Sequence, residues 1–152
     1  MTTKASEVLA KLQGKTLVTA ESLTGGGIGA LLTAVPGASK VYLGGVISYT
    51  DDVKREVLGV PGAYLSSFGA VSAPVAEAMA MGAKMYLKAD VAISVTGLAG
   101  PDGDDFGNPV GTVFIGYANE HGVTVGEYHF SGDREAVRNQ TIAAALDRIL
   151  EK

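Results

Sequence analysis

The stretch from Ser72 to Val95, SAPVAEAMAMGAKMYLKADVAISV, decides the fold. Residues 73–89 carry only three charges, Glu77, Lys84 and Lys88, and these share one side of a helix. The remaining surface is apolar and belongs against other protein. Ser72 stands at the cap position, and Pro74 falls in the first turn, where its missing N–H costs nothing. Val91–Val95 follows as an unbroken apolar run, the pattern of a strand covered on both faces. A strand buried between helices is the centre of a three-layer α/β/α domain.

The chain on either side agrees. Residues 4–13 form an amphipathic helix closed by Gly14. Thr16–Ala20 is β-prone, and Thr24 opens a helix over Gly25–Val35 that Pro36-Gly37 ends. Val41–Tyr49 reads as a second strand, and Thr50 or Asp51 caps a short helix over Asp52–Leu58. A loop containing Pro61-Gly62 leads to Gly69-Ala70-Val71-Ser72. After the central strand, Thr96–Val110 holds four Gly and two Pro and is irregular. Gly111–Ala118 and Gly122–Phe130 flank Asn119-Glu120-His121 as an antiparallel hairpin. Asp133 caps a final helix that turns Val137, Leu146, Ile149 and Leu150 inward. The pattern predicts one domain over residues 1–152, α/β in class, with a mixed, mainly parallel sheet.

Composition narrows the function. Apolar residues make up 47% and mean hydropathy is +0.24, so the chain is globular rather than disordered. It has no cysteine, which removes disulfides, thiol nucleophiles and cysteine metal sites, and fits a cytoplasmic protein. A net charge of -4 argues against a sequence-independent nucleic-acid binder. The longest uncharged run, Val57–Ala76, is broken by Pro61 and Pro74 and is no membrane span; no signal peptide is visible either. Glycine is the anomaly: 21 of 152 residues, about twice the usual share. The glycines cluster at 25–29 and 97–111, which points to backbone-built ligand sites.

Ser22 lies at the carboxyl end of the first strand, the edge at which open α/β sheets bind ligands. On position alone, an ordinary turn serine is the commoner reading. Thr24-Gly25-Gly26-Gly27 at the helix start offers free N–H groups and a positive dipole end to an oxyanion or a phosphate. Lys54, in the first turn of its short helix, faces an unfavourable dipole, which together with burial would lower its pKa, as a general base requires. Alone it is a solvated lysine. Elimination strengthens the pair. A serine nucleophile needs a base. The two histidines, His121 and His129, lie in the hairpin, far from the glycine loops, and neither G-x-S-x-G nor H-E-x-x-H occurs. A Ser22–Lys54 arrangement remains, with Tyr49 as relay or orienter.

Gly25-Gly26-Gly27-Ile28-Gly29-Ala30 also matches a dinucleotide-binding fingerprint, with Asp51 beyond the second strand. The four residues separating the strand from Gly25 count against it. Asp102, Asp104 and Asp105 lack the glutamate that would close a calcium loop, so no metal site is expected. Arg134 and Arg138, four apart on the last helix, share a face that could clamp a phosphate.

Six motifs then occur in order: Ala20-Glu21-Ser22-Leu23-Thr24-Gly25-Gly26, Ser48-Tyr49 with Lys54, Gly69-Ala70-Val71-Ser72, Thr96-Gly97-Leu98-Ala99-Gly100-Pro101, Pro109-Val110-Gly111-Thr112, and Gly132-Asp133-Arg134 with Arg138. From about Thr16 onward the chain resembles the CinA C-terminal domain family, which includes stand-alone nicotinamide mononucleotide deamidases of the PncC type. The resemblance implies metal-independent hydrolysis of the nicotinamide carboxamide, with Ser22 as nucleophile, Tyr49 and Lys54 beside it, and Thr96 and Gly97 in the third motif. It implies no cofactor. It departs from the family pattern at Leu23, where cysteine is usual, and at Ala73, Asp104 and Asn108. The last three fall where substrate would bind and bear on specificity. The expectation is an amidohydrolase acting on a small nucleotide, with Thr24, Gly25, Gly26, Thr96, Gly97, Arg134 and Arg138 as substrate contacts. A homo-oligomer, dimer favoured, is expected, with no nucleic-acid or membrane partner. The alternatives are a catalytically silent nucleotide-binding paralogue and a dinucleotide-binding module.

Overall fold

The computed structural model describes residues 2–152. In chain order the elements are α1 (Thr2–Lys11), β1 (Leu17–Glu21), α2 (Gly27–Thr33), β2 (Tyr42–Ile47), α3 (Asp51–Glu56), α4 (Gly62–Phe68), α5 (Ala73–Tyr86), β3 (Val91–Gly97), β4 (Thr112–Asn119), β5 (Gly122–His129) and α6 (Arg134–Glu151). A single 3-10 turn, Ala38–Lys40, leads into β2. The sheet order is β2-β1-β3-β4-β5. β1 pairs in parallel with β2 and β3, and β4 runs antiparallel to both β3 and β5. Only β4 therefore opposes the common direction, and the sheet is mixed and mainly parallel as expected.

The two faces of the sheet are built differently. On one, Leu17, Ile93, Val95 and Ile115 pack against α1, α2 and α6. On the other, small residues (Val18, Ala20, Ala92, Ala118) meet Val75, Met79, Ala80 and Ala83 of α5. That face is shallow enough for α5 to touch it: a Cβ on Gly116 would stand 2.7 Å from the Ala76 carbonyl, and Ser94 Oγ donates to the same oxygen at 2.7 Å. Among the described residues no helix is long and apolar enough to cross a membrane.

Several local expectations change. Residues 62–68 form α4 where a loop was expected; Leu65 buries itself there and Tyr64 and Phe68 pack edge to face. Ser72 does not cap α5 through its side chain, because its hydroxyl donates back to Gly69 O at 2.8 Å. The helix expected to reach 89 stops at Tyr86, and Lys88 takes a left-handed φ of 54° that turns the chain into β3. Thr50 and Asp133 cap α3 and α6 as expected, accepting from Val53 N and Ala136 N.

The topology places the site. From β1 the chain moves to β2 on one side, then crosses to β3 on the other, so the strand order reverses between β1 and β3. Such a reversal opens a crevice at the carboxyl ends of the strands. Ser22 and Thr96 leave β1 and end β3 at that point.

Candidate active site

Ser22 follows β1 directly and keeps the strand's pairing, its N–H donating to Val95 O at 3.1 Å. The serine is 7% exposed, so its hydroxyl is held rather than free in water. Lys54 reaches it from α3: Nζ stands 3.0 Å from Ser22 Oγ and donates to Tyr49 O at 3.3 Å. Lys54 is 1% exposed, among the most buried large side chains of the protein. Its partners are a hydroxyl and a carbonyl rather than a carboxylate. Burial pushes its pKa down, and nearby Asp51 opposes the shift without cancelling it. Of the two causes the sequence suggests, helix dipole and burial, the structure supports burial. α3 has only six residues, which puts Lys54 in its last turn, so desolvation is the cause.

A cavity of about 300 Å³ opens over this pair, at the lower end of the range for small-ligand sites. Ser22, Lys54, Tyr49, Thr96, Gly97 and Arg134 line it, with Asp51 and Asp102 on its wall. Thr96 Oγ1 donates to Ala70 O at 2.8 Å and ties the end of β3 to the segment before α5. Gly97 is needed for close approach, since a Cβ there would lie 2.9 Å from Thr112 O. Arg134 spans the mouth, with Nη1 donating to Gly100 O at 2.6 Å and Nη2 to Tyr49 Oη at 3.0 Å. The Tyr49 phenol therefore pairs with Arg134, outside the Ser22–Lys54 contact. Tyr49 contacts the lysine through its backbone carbonyl, while its phenol meets Arg134 on the cavity wall.

The glycine-rich helix start is not an anion site. Glu21, 2% exposed, fills it from within: Oε1 accepts from Ile28 N at 2.8 Å and Thr24 Oγ1 at 2.7 Å, and Oε2 accepts from Gly29 N at 3.0 Å. The same occupation removes the dinucleotide reading, because a pyrophosphate would need those N–H groups. Thr24 is thereby a donor to Glu21 and not the helix cap; that position falls to Gly26. Gly25 and Gly26 adopt φ of 59° and 100° and form the turn before α2 begins at Gly27. None of Thr24, Gly25 and Gly26 lines the cavity. Arg138 does not line it either: Nε donates to Leu23 O at 2.9 Å and Nη2 to Thr24 O at 3.2 Å. It grips the turn after Ser22 instead of facing the substrate space. His121 and His129 are exposed in the hairpin, His129 paired with Glu127, consistent with their elimination as bases.

Sequence reasoning missed Glu21. A carboxylate ending a strand just before a glycine-rich helix start complements the helix dipole, and that signal was available.

The sequence model of the CinA C-terminal domain matches residues 1–152. The chain belongs to the CinA C-terminal domain family. The CinA domain is 47% identical over 134 residues to a CinA-like protein of Geobacter metallireducens, covering 88% of this chain and 32% of that protein. It is 49% identical over 150 residues to one from Parasynechococcus marenigrum, covering 95% and 36% respectively. The chain thus spans about a third of the length of these curated relatives. The crystal structure of competence damage-inducible protein A from Klebsiella pneumoniae superposes with a TM-score of 0.97 at 35% identity, over 99% of this chain and 95% of that one. A CinA superfamily protein from Escherichia coli gives 0.91 at 35% identity, over 98% and 86%.

Of the four departures from the family pattern, Leu23 lines the cavity and the other three lie off it. Ala73 lines a separate groove between α4, α5 and β5 with Tyr64, Met81 and Val125. Asn108 is bound to Asp104: its N–H meets Oδ1 at 3.0 Å and Nδ2 meets Oδ2 at 2.8 Å, with Nδ2 also donating to Val71 O. This pair shapes the loop after β3, and neither residue lines the cavity over Ser22.

Proposed function

We propose that the CinA domain is an amidohydrolase that converts nicotinamide mononucleotide to the acid and ammonia. The observation that carries this reading is the 3.0 Å contact between the buried Lys54 amine and Ser22 Oγ. A neutral amine at that distance is the base a serine nucleophile requires, and Ser–Lys pairs are one of the recurrent forms of this chemistry.

Ser22 Oγ attacks the carboxamide carbon as Lys54 Nζ takes the hydroxyl proton. Lys54 returns that proton to the leaving nitrogen, the C–N bond breaks, and ammonia departs from an ester on Ser22. Water then attacks the ester with Lys54 again as base, releasing the acid and restoring the serine hydroxyl. Burial keeps the amine neutral enough to begin the cycle.

Arg134 supports a phosphorylated substrate. It is the guanidinium on the cavity wall, and its present acceptors, a carbonyl and a phenol, are neutral. A phosphate dianion at the mouth would be a stronger partner for its fork. The test is ammonia release from nicotinamide mononucleotide by the purified protein and by Ser22→Ala. Steady release by the first and none by the second is expected. Release by neither, or by both equally, overturns the reading.

A further inference from the structure

The turn Ser22-Leu23-Thr24-Gly25 is held from both sides. Glu21 fixes its lower side through Thr24 Oγ1 and the first amides of α2. Arg138, arriving from α6 more than a hundred residues later, forks onto Leu23 O and Thr24 O. Gly25 N closes the turn on Ser22 O at 3.1 Å. Every carbonyl from Ser22 to Thr24 thus has a partner. Among the described residues, neither the Leu23 nor the Thr24 amide has an acceptor.

A trans peptide holds its C=O and N–H antiparallel. The grip on Leu23 O therefore aims the Thr24 N–H away from Arg138, and the Gly25 bond to Ser22 O aims the Leu23 N–H away from Gly25. Of these two N–H groups only that of Leu23, directly after the nucleophile, belongs to a residue lining the cavity. Donors fixed in advance beside the attacked carbon stabilise the charge that develops on the carbonyl oxygen. We propose that Arg138 is a positioning residue, whose hydrogen bonds to Leu23 O and Thr24 O hold the turn so that the Leu23 amide serves as the oxyanion donor. This rests on Ser22 being the nucleophile, and it differs from a phosphate role for Arg138.

The experiment follows Ser22 with a fluorophosphonate. Ser22 Oγ bonds to phosphorus, fluoride leaves, the serine proton passes to Lys54, and the phosphoryl oxygen occupies the oxyanion position. Rates of labelling are measured by mass spectrometry for the wild type, Arg138→Ala, Arg138→Gln and Arg138→Lys. The last two keep one donor for the turn and remain usable if the alanine variant does not fold. Labelling should fall about 10- to 100-fold in each folded variant. Affinity for nicotinate mononucleotide, read by calorimetry, should stay within about twofold, since phosphate recognition is unaffected. Labelling at the wild-type rate in the folded variants overturns the proposal, as does a loss of affinity that matches the loss of labelling. Wild-type protein that is labelled at Ser22 but releases no ammonia from nicotinamide mononucleotide overturns the substrate reading alone, and the labelling rates then decide Arg138. Absence of wild-type labelling overturns Ser22 and Arg138 together.

Discussion

The Lys54 amine accepts a proton from Ser22 only when neutral, and burial favours that form against the opposing pull of Asp51. Replacing it with methionine should lower turnover by about 10²–10⁴-fold, the usual cost of a lost general base. In the wild type, kcat/KM should rise with pH along a limb lying below the ordinary lysine range; Lys54→Met should lack that limb. Stability carries the same signature. Between the lowered folded-state value and the unfolded one, the unfolded chain holds the proton that the folded chain has released, so stability rises with pH there. Below that window both states are protonated and the cost of burying the cation is present in full. Urea titrations of wild type and Lys54→Met at several alkaline pH values check this: the wild type should gain on the variant as pH rises. At the mouth, Arg134→Ala should lower kcat/KM for nicotinamide mononucleotide about 10- to 100-fold and matter far less for nicotinamide riboside, which lacks the phosphate. Equal losses on both substrates would assign Arg134 to holding Tyr49 and Gly100. Ser22 and Lys54 were legible in the sequence because elimination left no other nucleophile–base pair. The separate duties of Arg134 and Arg138 were not, because both sit on one helix face and only packing shows that one reaches the cavity and the other a turn.

Glu21 and α2 belong together at the scale of elements. The carboxylate replaces the missing side-chain cap, and its three acceptor contacts satisfy two helix amides and a hydroxyl in a buried place. Glu21→Gln swaps one acceptor oxygen for an amide that faces the Gly29 N–H or its neighbours. A loss of about 1.5–3 kcal/mol is expected from urea denaturation, with no change in the strand register. A loss below about 0.5 kcal/mol would show that the cap contributes little. The strands and long helices were legible because periodicity and breakers agreed there: β3 as an unbroken apolar run, α5 as a nearly uncharged cylinder, the hairpin from its turn residues. α4 was not, since Pro61-Gly62 is a turn signal and the seven residues from Gly62 to Phe68 owe their helix to Leu65 finding the α5 layer. The start of α2 was misplaced for a similar reason. Gly25 and Gly26 carry no side chain to report a left-handed turn, and the residue that caps the helix precedes it in β1.

At the scale of the whole molecule, the carboxylates and histidines are dispersed rather than grouped among the described residues. It has no cysteine, and among the described residues no three His, Asp or Glu are grouped to hold an ion. Turnover is therefore expected to survive prolonged dialysis against EDTA; a loss restored by a divalent ion would sink the serine–lysine mechanism. Site residues come from five separated stretches, around 21–24, 48–54, 70–71, 96–102 and 134–138, so no fragment shorter than β1 to α6 holds the cavity wall and the turn together. These supports differ in strength. β1 and β3 are paired on both sides, whereas β2 is an edge strand, bonded only to β1 and bearing adjacent Gly44 and Gly45. The base thus follows an edge strand while the nucleophile follows one paired on both sides. Amide hydrogen exchange should show β2 and α3 opening at lower free energy than β1 and β3. Lys54 would then swing away from Ser22 in an excursion that leaves the rest of the sheet intact, and low urea should silence the protein before its circular dichroism changes.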